Sequence, residues 1–266
     1  MSPALPQFLQ RGDSESRIGD NWATGACATG QRQSPIDIVT SVVETTDLTL
    51  DTKKIGAFTD VPVHIADHAV KAVPKDVSNK KFTAFTDDDG TEGNYNFIQM
   101  HFHAPSEHTV DSIHYDAEIH FVHAKSDTEL LVIGVFFDVL DGTPGDSWLL
   151  EDFDLFTLET AEEEGEHEYE APVFDIKSFL EKLESHEFYH YEGSLTTPTC
   201  DEIVEWIVYK TPVFISPKNF DILESHLGES NRNTQPLNGR KIRLGDNFGA
   251  RLSINFIALV LSLVFF

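Results

Sequence analysis

Basic residues are scarce in this sequence of 266 residues. It contains 19 Lys and Arg against 45 Asp and Glu, which gives a formal net charge of −26. A surface this acidic repels phosphate backbones, so nucleic-acid binding is excluded. Self-repulsion on this scale destabilises a compact state, and concentrated salt screens it. The charge therefore predicts a protein that works in a saline environment.

The sequence also lacks internal repeats and is poor in cysteine. It shows no Gly-X-Y period, heptad run or longer repeat, which excludes fibrous and solenoid folds. The two cysteines, Cys27 and Cys200, do not by their number alone distinguish free thiols from a disulfide. Apolar residues, by contrast, make up 40% of the chain and aromatic residues 11%, which suffices for a buried core.

The two ends of the sequence differ from the part between them. Residues 1–20 form a polar N-terminal tail in which no apolar signal-peptide region is visible. The 15 residues of 252–266 are uncharged and mostly apolar. This run is shorter than the roughly 20 residues that span a bilayer. A lipid-anchor signal, a tail anchor and a strand of the domain all remain open for the segment 249–266. We expect one folded domain at 21–248.

Short β-branched and aromatic runs alternate with turn residues along the domain, a pattern typical of a β-dominated fold. Helical periodicity is clear only in 175–185 and 217–226. The acidic segment 151–170 is predicted to be a solvated loop. No linker divides the domain, so we expect one domain of the β-dominated α+β class. The predicted strands are 36–43, 61–65, 81–86, 94–103, 115–124, 130–137, 203–209 and 212–216.

The predicted strand 94–103 carries polar residues in phase. Alternate residues of a strand point to the same side, so Gln99, His101 and His103 share one face while apolar residues occupy the other. Because Gln99 lies two residues before His101, it can accept the second ring N–H of a histidine on that face.

The predicted strand 115–124 repeats this arrangement, with Glu118 and His120 on one face. If the two strands pair, three imidazoles converge and leave a fourth tetrahedral position open. That arrangement is typical of a catalytic rather than a structural zinc site. Glu118, like Gln99, is placed to fix the tautomer of a ligand histidine.

The order His101, His103 and Glu107 also resembles the first motif of the cupins. That motif requires glycines at two positions that Tyr95 and His114 occupy here. No second cupin motif follows in the sequence, so the cupin interpretation is rejected.

Four separated motifs resemble, in order, those of the α-class carbonic anhydrases. The resemblance covers roughly residues 21–245, and the acidic composition resembles that of salt-tolerant, extracellular algal members. It implies a single domain with a large central, mostly antiparallel twisted sheet, a zinc site on that sheet in a conical cleft, and a few short peripheral helices. The motifs are QSPIDI at 33–38, FIQMHFHAPSEHTVDSIHYDAEIHFVHA at 97–124, YEGSLTTPTCDEIVEWIVYKTPV at 191–213 and NTQPLNGR at 233–240.

The resemblance implies a zinc metalloenzyme, a carbonate dehydratase. It would interconvert carbon dioxide and water with bicarbonate and a proton by zinc-hydroxide attack. One Zn²⁺ per chain would be bound by His101, His103 and His120. Gln99 and Glu118 would accept the remaining ring N–H groups of these ligands.

Further roles follow from the same resemblance. Thr196 would orient the hydroxide and donate to Glu107, and Thr197 would line the substrate side. His68 aligns with the proton-shuttle histidine of the family, and His64 on the same strand face is the competing candidate. The apolar wall that holds carbon dioxide would consist of Val122, Val132, Leu195, Val204 and Trp206.

Cys27 and Cys200 fall where exported members of the family share a disulfide. The resemblance therefore implies that bridge, and with it an oxidising location, extracellular, at the cell surface or periplasmic. The expected partner is a small-molecule substrate, with membrane attachment through the C-terminal segment left open and no indication of the oligomeric state.

Two alternative functions remain, a zinc-free binding module on the same fold and a zinc esterase. The three intact histidines argue against the first. The small space that Val122, Val132 and Leu195 leave argues against the second.

Overall fold

The computed structural model describes residues 22–66, 69–75, 82–87, 90–142, 155–160, 167–183 and 186–246. The predicted tail 1–20, the segment 249–266 and His68 lie outside these residues. Within the described ranges the helices are α1 (Gly25–Thr29), α2 (Leu155–Thr160), α3 (Ile176–Glu181) and α4 (Pro217–Leu227). The strands are β1 (Asp37–Ile38), β2 (Glu44–Asp51), β3 (Ala57–Ala66), β4 (Ala69–Ala72), β5 (Phe82–Thr86), β6 (Glu92–His103), β7 (Thr109–Val110), β8 (Ile113–His114), β9 (Ala117–Ser126), β10 (Glu129–Val139), β11 (His167–Asp175), β12 (Glu187–Gly193), β13 (Val204–Tyr209), β14 (Val213–Ile215) and β15 (Arg243–Asp246).

Twelve of the described strands form one large twisted sheet. Its hydrogen-bonded pairs close a ring of eight strands in the order β6, β9, β10, β13, β12, β15, β2 and β5, which returns to β6. The pairs of β10 with β13 and β14 and of β2 with β15 are parallel, and the other pairs of this sheet are antiparallel. The prediction of a β-dominated domain with a mostly antiparallel sheet is confirmed. Strands β1, β7 and β8 form a separate small sheet.

The ring strands bury side chains on both of their faces. One face contributes to the larger core, which includes Phe97, Phe121 and Ile133. Alternate residues of the same strands contribute to a smaller core, which includes Val132 and Trp206. Strand β10 is buried on both faces between its neighbours, which explains its nearly continuous apolar sequence.

The prediction of a strand over 36–43 is wrong beyond Ile38. Residues Thr40–Val42 form a 3₁₀ turn instead. The carboxylate of Asp111 accepts hydrogen bonds from the backbone N–H of Thr40 at 2.9 Å and from its hydroxyl at 2.6 Å, which holds the chain in this turn. The other predicted strands are present with shifted ends. Strand β2 was not expected, because carboxylates and threonines obscure its alternation.

The helix predicted over 217–226 is confirmed as α4. Its N-terminus is capped by the Ser216 side chain, which accepts from the Asn219 N–H, and Pro217 occupies the first turn. The helix predicted over 175–185 is shorter and ends at Glu181. The prediction of a loop throughout 151–170 is wrong, since helix α2 and the start of strand β11 lie within it. Among the described residues, no helix combines the length and apolar character needed to cross a membrane.

Candidate metal centre

Three histidines are brought together by the antiparallel pairing of β6 and β9. His101 on β6 lies directly opposite His120 on β9, and His103 lies opposite Glu118. Residues that face each other across a ladder project from the same side of the sheet. The pairing that the sequence left conditional is therefore formed, and it places His101, His103 and His120 on one face.

The imidazoles of these three residues form a compact cluster. One ring nitrogen from each lies within 4.8 Å of the corresponding nitrogens of the other two. The ring centroids of His101 and His103 are 4.9 Å apart, and those of His103 and His120 are 4.8 Å apart. His103 and His120 are buried, whereas His101 is partly exposed.

The other ring nitrogen of each histidine is held by an oxygen acceptor. His101 Nδ1 lies 3.0 Å from Gln99 Oε1, and His103 Nδ1 lies 2.9 Å from the backbone oxygen of Ser230. An acceptor there keeps the proton on Nδ1, so Nε2 is the nitrogen that would bind a metal. His103 Nε2 is buried and makes no hydrogen bond within the described chain. Ser230 was not identified from the sequence, because a backbone oxygen carries no residue-type signal.

His120 has the opposite tautomer. Its Nε2 lies 2.9 Å from Glu118 Oε1, so its Nδ1 is the nitrogen left for a metal. Glu118 is fully buried, and the backbone N–H of His108 donates to its Oε2 at 2.9 Å. Burial alone would raise the pKa of Glu118, but the charges and hydrogen bonds of His108 and His120 hold it well below its usual range.

A buried chain of polar side chains behind Glu118 was not predicted from the sequence. His108 Nδ1 lies 2.8 Å from Glu118 Oε1, and its Nε2 lies 2.7 Å from the hydroxyl of Tyr191. Tyr191 in turn donates to Ser34 Oγ at 2.9 Å. These residues lie in three segments that are far apart in sequence, and strand alternation does not predict contacts between such segments.

Glu107 lies beside the cluster, as expected, but its partner differs from the expected one. Its Oε1 accepts from the backbone N–H of Arg232 at 3.0 Å. Its Oε2 lies 3.5 Å from His103 Nε2 and 3.9 Å from His120 Nδ1 and has no hydrogen-bond partner among the described residues. The hydrogen bond from Thr196 that the resemblance implied is therefore not formed in this structure.

The predicted apolar wall lies on the same face of the sheet as the histidines. Val132 on β10 lies opposite Val122 on β9 and opposite Trp206 on β13. The Trp206 ring centroid is 4.8 Å from that of His120. Four members of the predicted set are buried in the smaller core, and Leu195 packs against it from the following loop. The five residues brought together are Val122, Val132, Leu195, Val204 and Trp206.

The loop that carries Thr196 and Thr197 is fixed from several directions. Cys200 forms a disulfide with Cys27, the bridge that the resemblance implied. The N–H of Cys200 donates to the backbone oxygen of Thr197 at 2.8 Å. The Gln33 side chain donates to the backbone oxygen of Cys200 at 3.1 Å. Thr196 is buried and Thr197 is partly exposed in this loop.

Gly134 provides the space that Glu118 occupies. Gly134 lies opposite His120 in the ladder, and a Cβ placed on it would lie 2.6 Å from Glu118 Oε1. We expect Gly134→Ala to displace this carboxylate and to weaken zinc binding by about 10–100-fold, the usual cost of disturbing a partner of a metal ligand. A competition titration with a chromogenic chelator measures the zinc affinity.

Gly245→Ala is the matched control for this prediction. A Cβ there would lie 2.5 Å from the Phe188 ring, far along the sheet from the histidines. This variant tests overpacking alone, and we expect it to lower stability while zinc affinity is unchanged. Equal zinc affinities for Gly134→Ala and the unmodified protein would contradict the assigned role of Gly134.

Comparisons with known proteins match most of the chain to one protein family. The sequence profile of the eukaryotic-type carbonic anhydrases matches residues 18–246. The chain is 31% identical to "Alpha carbonic anhydrase 3" of Arabidopsis thaliana over 231 residues, which cover 83% of this chain and 76% of the relative. It is 33% identical to a "Carbonic anhydrase" of Klebsiella pneumoniae over 223 residues, 81% of each chain. A solved α-carbonic anhydrase of Thermovibrio ammonificans, in complex with the inhibitor sulfanilamide, superposes with a TM-score of 0.64 at 32% identity, over 82% of this chain and 89% of the other.

Proposed function

Because the chain belongs to the family of eukaryotic-type, or α-class, carbonic anhydrases, it interconverts carbon dioxide and bicarbonate, and we propose that His101, His103 and His120 hold one zinc ion per chain for this reaction. The assignment rests on the different environments of the two ring nitrogens of each histidine. Each histidine commits one nitrogen to an oxygen acceptor, while the other three nitrogens lie within 4.8 Å of one another.

The donor set fits zinc. Neutral imidazoles are common zinc ligands, and three of them leave a fourth tetrahedral position for solvent or substrate. When bound, a zinc ion supplies Lewis-acid chemistry that makes hydroxide available near neutral pH. Three neutral ligands do not cancel the charge of the ion, as thiolates would. The buried carboxylate of Glu118 orients the His120 ring and raises its basicity as a ligand.

The apolar wall supports binding of carbon dioxide, which has no net dipole and no hydrogen to donate. Val122, Val132 and Trp206 offer it a surface from which water is excluded. The family match favours the hydration of carbon dioxide over an esterase function. We assign Leu195 and Val204 to this wall, and Thr197 to the substrate side of the loop.

Thr196 and Glu107 are assigned to orienting the attacking oxygen. Both side chains are buried, and Glu107 lies beside the histidine cluster, where the Arg232 N–H donates to one of its carboxylate oxygens at 3.0 Å. The other oxygen of Glu107 has no hydrogen-bond partner among the described residues, and we assign it to accept from the Thr196 hydroxyl. The hydroxyl of Thr196 then has its lone pairs left to accept from the nucleophile.

Zinc-dependent hydration of carbon dioxide is the test of this assignment. We expect stopped-flow measurements to show rapid hydration by the zinc-loaded protein, a fall to the buffer background after chelation, and recovery on addition of Zn²⁺. A second arm in about 1 M NaCl is expected to retain activity, because salt at this concentration screens the surface charges. Hydration that is insensitive to the chelator would contradict the metal assignment, and ester hydrolysis without hydration would favour the esterase alternative.

We also propose where the protein is located and under which conditions it works. The disulfide between Cys27 and Cys200 supports an oxidising compartment, such as the cell exterior or the periplasm. The net charge of −26 supports a saline environment. We propose that residues 21–248 are the catalytic domain and that His68, which aligns with the family's shuttle histidine, accepts protons during turnover.

A further inference from the structure

A cavity with an excess of negative charge lies at one end of the strand ring. It has a volume of about 170 Å³, and its lining comes mainly from the beginnings of β6, β10 and β13 and the end of β12. The acidic residues of this lining are Glu129, Glu192, Glu202 and Glu205. We propose that the cavity binds a small organic cation of the alkyl diamine class, with an ammonium group at each end of a short methylene chain. This site does not depend on the proposed function of the metal centre.

The charged wall of the cavity lies on the face of the sheet that is turned away from the histidine cluster. Glu205 lies between Val204 and Trp206 on β13, whose side chains belong to the smaller core. Side chains alternate along a strand, so Glu205 projects from the opposite face. Glu192 lies opposite Glu205 in the ladder, and Tyr95 belongs to the larger core. The cavity and the metal centre are therefore separate sites.

Two carboxylates face each other across the ladder of β12 and β13. Glu192 lies directly opposite Glu205, and like charges in this arrangement destabilise a sheet. Arg32 binds only Oε2 of Glu192, at 2.7 Å, and His190 Nε2 lies 2.6 Å from Oε2 of Glu205. The Oε1 atom of each carboxylate makes no hydrogen bond to a described residue. Both Oε1 atoms can therefore accept from a cation in the cavity.

Tyr95 is a buried polar residue of the cavity wall whose hydroxyl has no partner. Its side chain lines the cavity, the residue is only 6% exposed, and the hydroxyl makes no hydrogen bond within the described chain. Burial and the negative charges of Glu205 and Glu129 raise the pKa of this hydroxyl to about 12, which indicates that it lies close to these carboxylates. A buried polar group without a partner is unfavourable, and an ammonium N–H that donates to the hydroxyl oxygen removes this cost.

The carboxylates of the site outnumber the cations that bind them. Arg32 serves both Glu192 and Glu202, since its Nε lies 3.8 Å from Glu202 Oε2. Glu129 accepts from Lys125 at 2.8 Å. With histidine counted as neutral, two positive side chains face four carboxylates among the described residues of the site. A ligand with two positive charges balances the two negative charges that remain.

The lining does not fit a metal ion bound directly by these carboxylates. Among the described residues, three or more metal-ligating atoms converge within 4.8 Å only in the histidine cluster and in the adjoining group of His108, Glu118 and His120. A Ca²⁺ ion requires six to eight oxygens at about 2.3–2.6 Å. Carboxylates that are spread along a wall fit ammonium groups that are separated in the same way. The apolar side chains of Leu130 and Ile203 offer a surface to the methylene chain between them.

Calorimetric titration with 1,4-diaminobutane tests this proposal. The zinc-loaded protein is titrated at about 10 mM ionic strength, where surface charges are little screened. We expect one binding site per chain. The affinity should stay the same after zinc has been removed by chelation and gel filtration, because the cavity is separate from the metal centre. Binding of n-butylamine, which carries one charge, should be about 10-fold weaker, since one hydrogen-bonded charge is missing.

Glu192→Gln and Glu205→Gln should each weaken binding of 1,4-diaminobutane about 10-fold, the factor that a hydrogen bond to a charged group typically supplies. Tyr95→Phe removes only the hydroxyl and should weaken binding about 5-fold. Glu187→Gln is the matched control, because Glu187 also lies on β12, pairs with Lys210 at 2.9 Å and does not line the cavity. It changes the net charge equally, and we expect an unchanged affinity. Nuclear Overhauser contacts between the ligand methylenes and the Tyr95 ring locate the bound diamine.

Several results would overturn the proposal. Absence of binding to the unmodified protein, or equal weakening by Glu187→Gln, would rule out a defined site and indicate diffuse attraction to the acidic surface. Loss of binding on removal of zinc would place the ligand at the metal centre instead. Equal affinity for n-butylamine would rule out a ligand with two charged ends. Binding of Mg²⁺ or Ca²⁺ that is tighter than that of the diamine and is lost in Glu192→Gln would identify a metal site.

Two of the variants keep these tests decisive. Because Glu205 also contacts the buried His190 ring, Glu205→Gln can lower stability, whereas Glu192 is exposed and Tyr95→Phe retains the aromatic ring. Unchanged affinity in both Glu192→Gln and Tyr95→Phe would contradict the proposed site. Hydration of carbon dioxide is measured separately, and failure of that activity would leave every outcome at this cavity unaffected.

Discussion

His103→Ala yields a purified protein without zinc and without measurable hydration of carbon dioxide; this is the largest effect that we expect. His103 is buried, its Nδ1 is held by Ser230, and its Nε2 is the nitrogen that faces the other two ligands. Removal of this ring leaves two imidazoles, which cannot hold zinc against buffer. We expect the zinc affinity to fall by more than about 100-fold. This loss exceeds the one usually seen when a residue hydrogen-bonded to a metal ligand is removed.

Metal analysis after gel filtration gives the zinc content of this variant directly. His114→Ala is a suitable control, because His114 is an exposed histidine on β8 outside the cluster. It should retain one zinc ion per chain. Because loss of His103 also leaves the Ser230 oxygen without its donor, His101→Ala at the partly exposed position serves as a second variant. Full zinc content in either ligand variant would contradict the assigned centre.

Loss of the disulfide is the second large effect. The bridge joins residues separated by 173 positions. In the chain-entropy description, a cross-link over such a loop stabilises the folded state by at most about 5 kcal/mol, and natural bridges usually contribute 2–5 kcal/mol. We therefore expect the double variant Cys27→Ser, Cys200→Ser to lose about 2–5 kcal/mol in its free energy of unfolding. Urea denaturation monitored by fluorescence measures this change.

The bridge also bears on activity, because Cys200 ends the turn that begins at Thr197. We expect the double variant to keep its zinc but to hydrate carbon dioxide more slowly, since the Thr196 loop loses one of its attachments. A reductant should destabilise the unmodified protein and have no effect on the double variant. Equal unfolding midpoints for the unmodified protein with and without reductant would contradict the stabilising role.

The sequence was most informative where one strand carries several site residues. His101, His103 and Gln99 follow one another at intervals of two, and strand alternation fixes their common face whatever the rest of the fold does. The placement of His120 and Glu118 needed one further assumption, the pairing of β6 with β9, and the structure contains that pairing. Local periodicity therefore predicted most of the metal centre.

Contacts between distant segments could not be predicted in this way. The acceptor of His103 is a backbone oxygen at position 230, and the partner of Glu107 is the N–H of Arg232. Both depend on the path of a loop that carries no regular pattern. The same reason explains why the sequence did not predict the role of His108, which connects Glu118 to Tyr191.

The class of the fold could be predicted from the sequence, but the pairing of distant strands could not. Short β-branched and aromatic runs identified β6, β9, β10 and β13, which are largely buried. They did not identify β2 or β11, because many residues of these two strands are charged or polar. Nothing in the pattern indicated that β2 pairs in parallel with β15, because pairing partners far apart in sequence leave no local signal.

The closed ring of strands also sets an order for folding. β6 and β9 are separated by few residues and can pair early, whereas β15 must insert between β2 and β12, strands from opposite halves of the chain. On a ribosome, the histidine-bearing strands β6 and β9 can therefore pair while the ring is still open, and the ring closes only after residues 243–246 have emerged. Such long-range pairing slows folding. It also leaves the edges of β2 and β12 open to pairing with other chains until β15 binds between them.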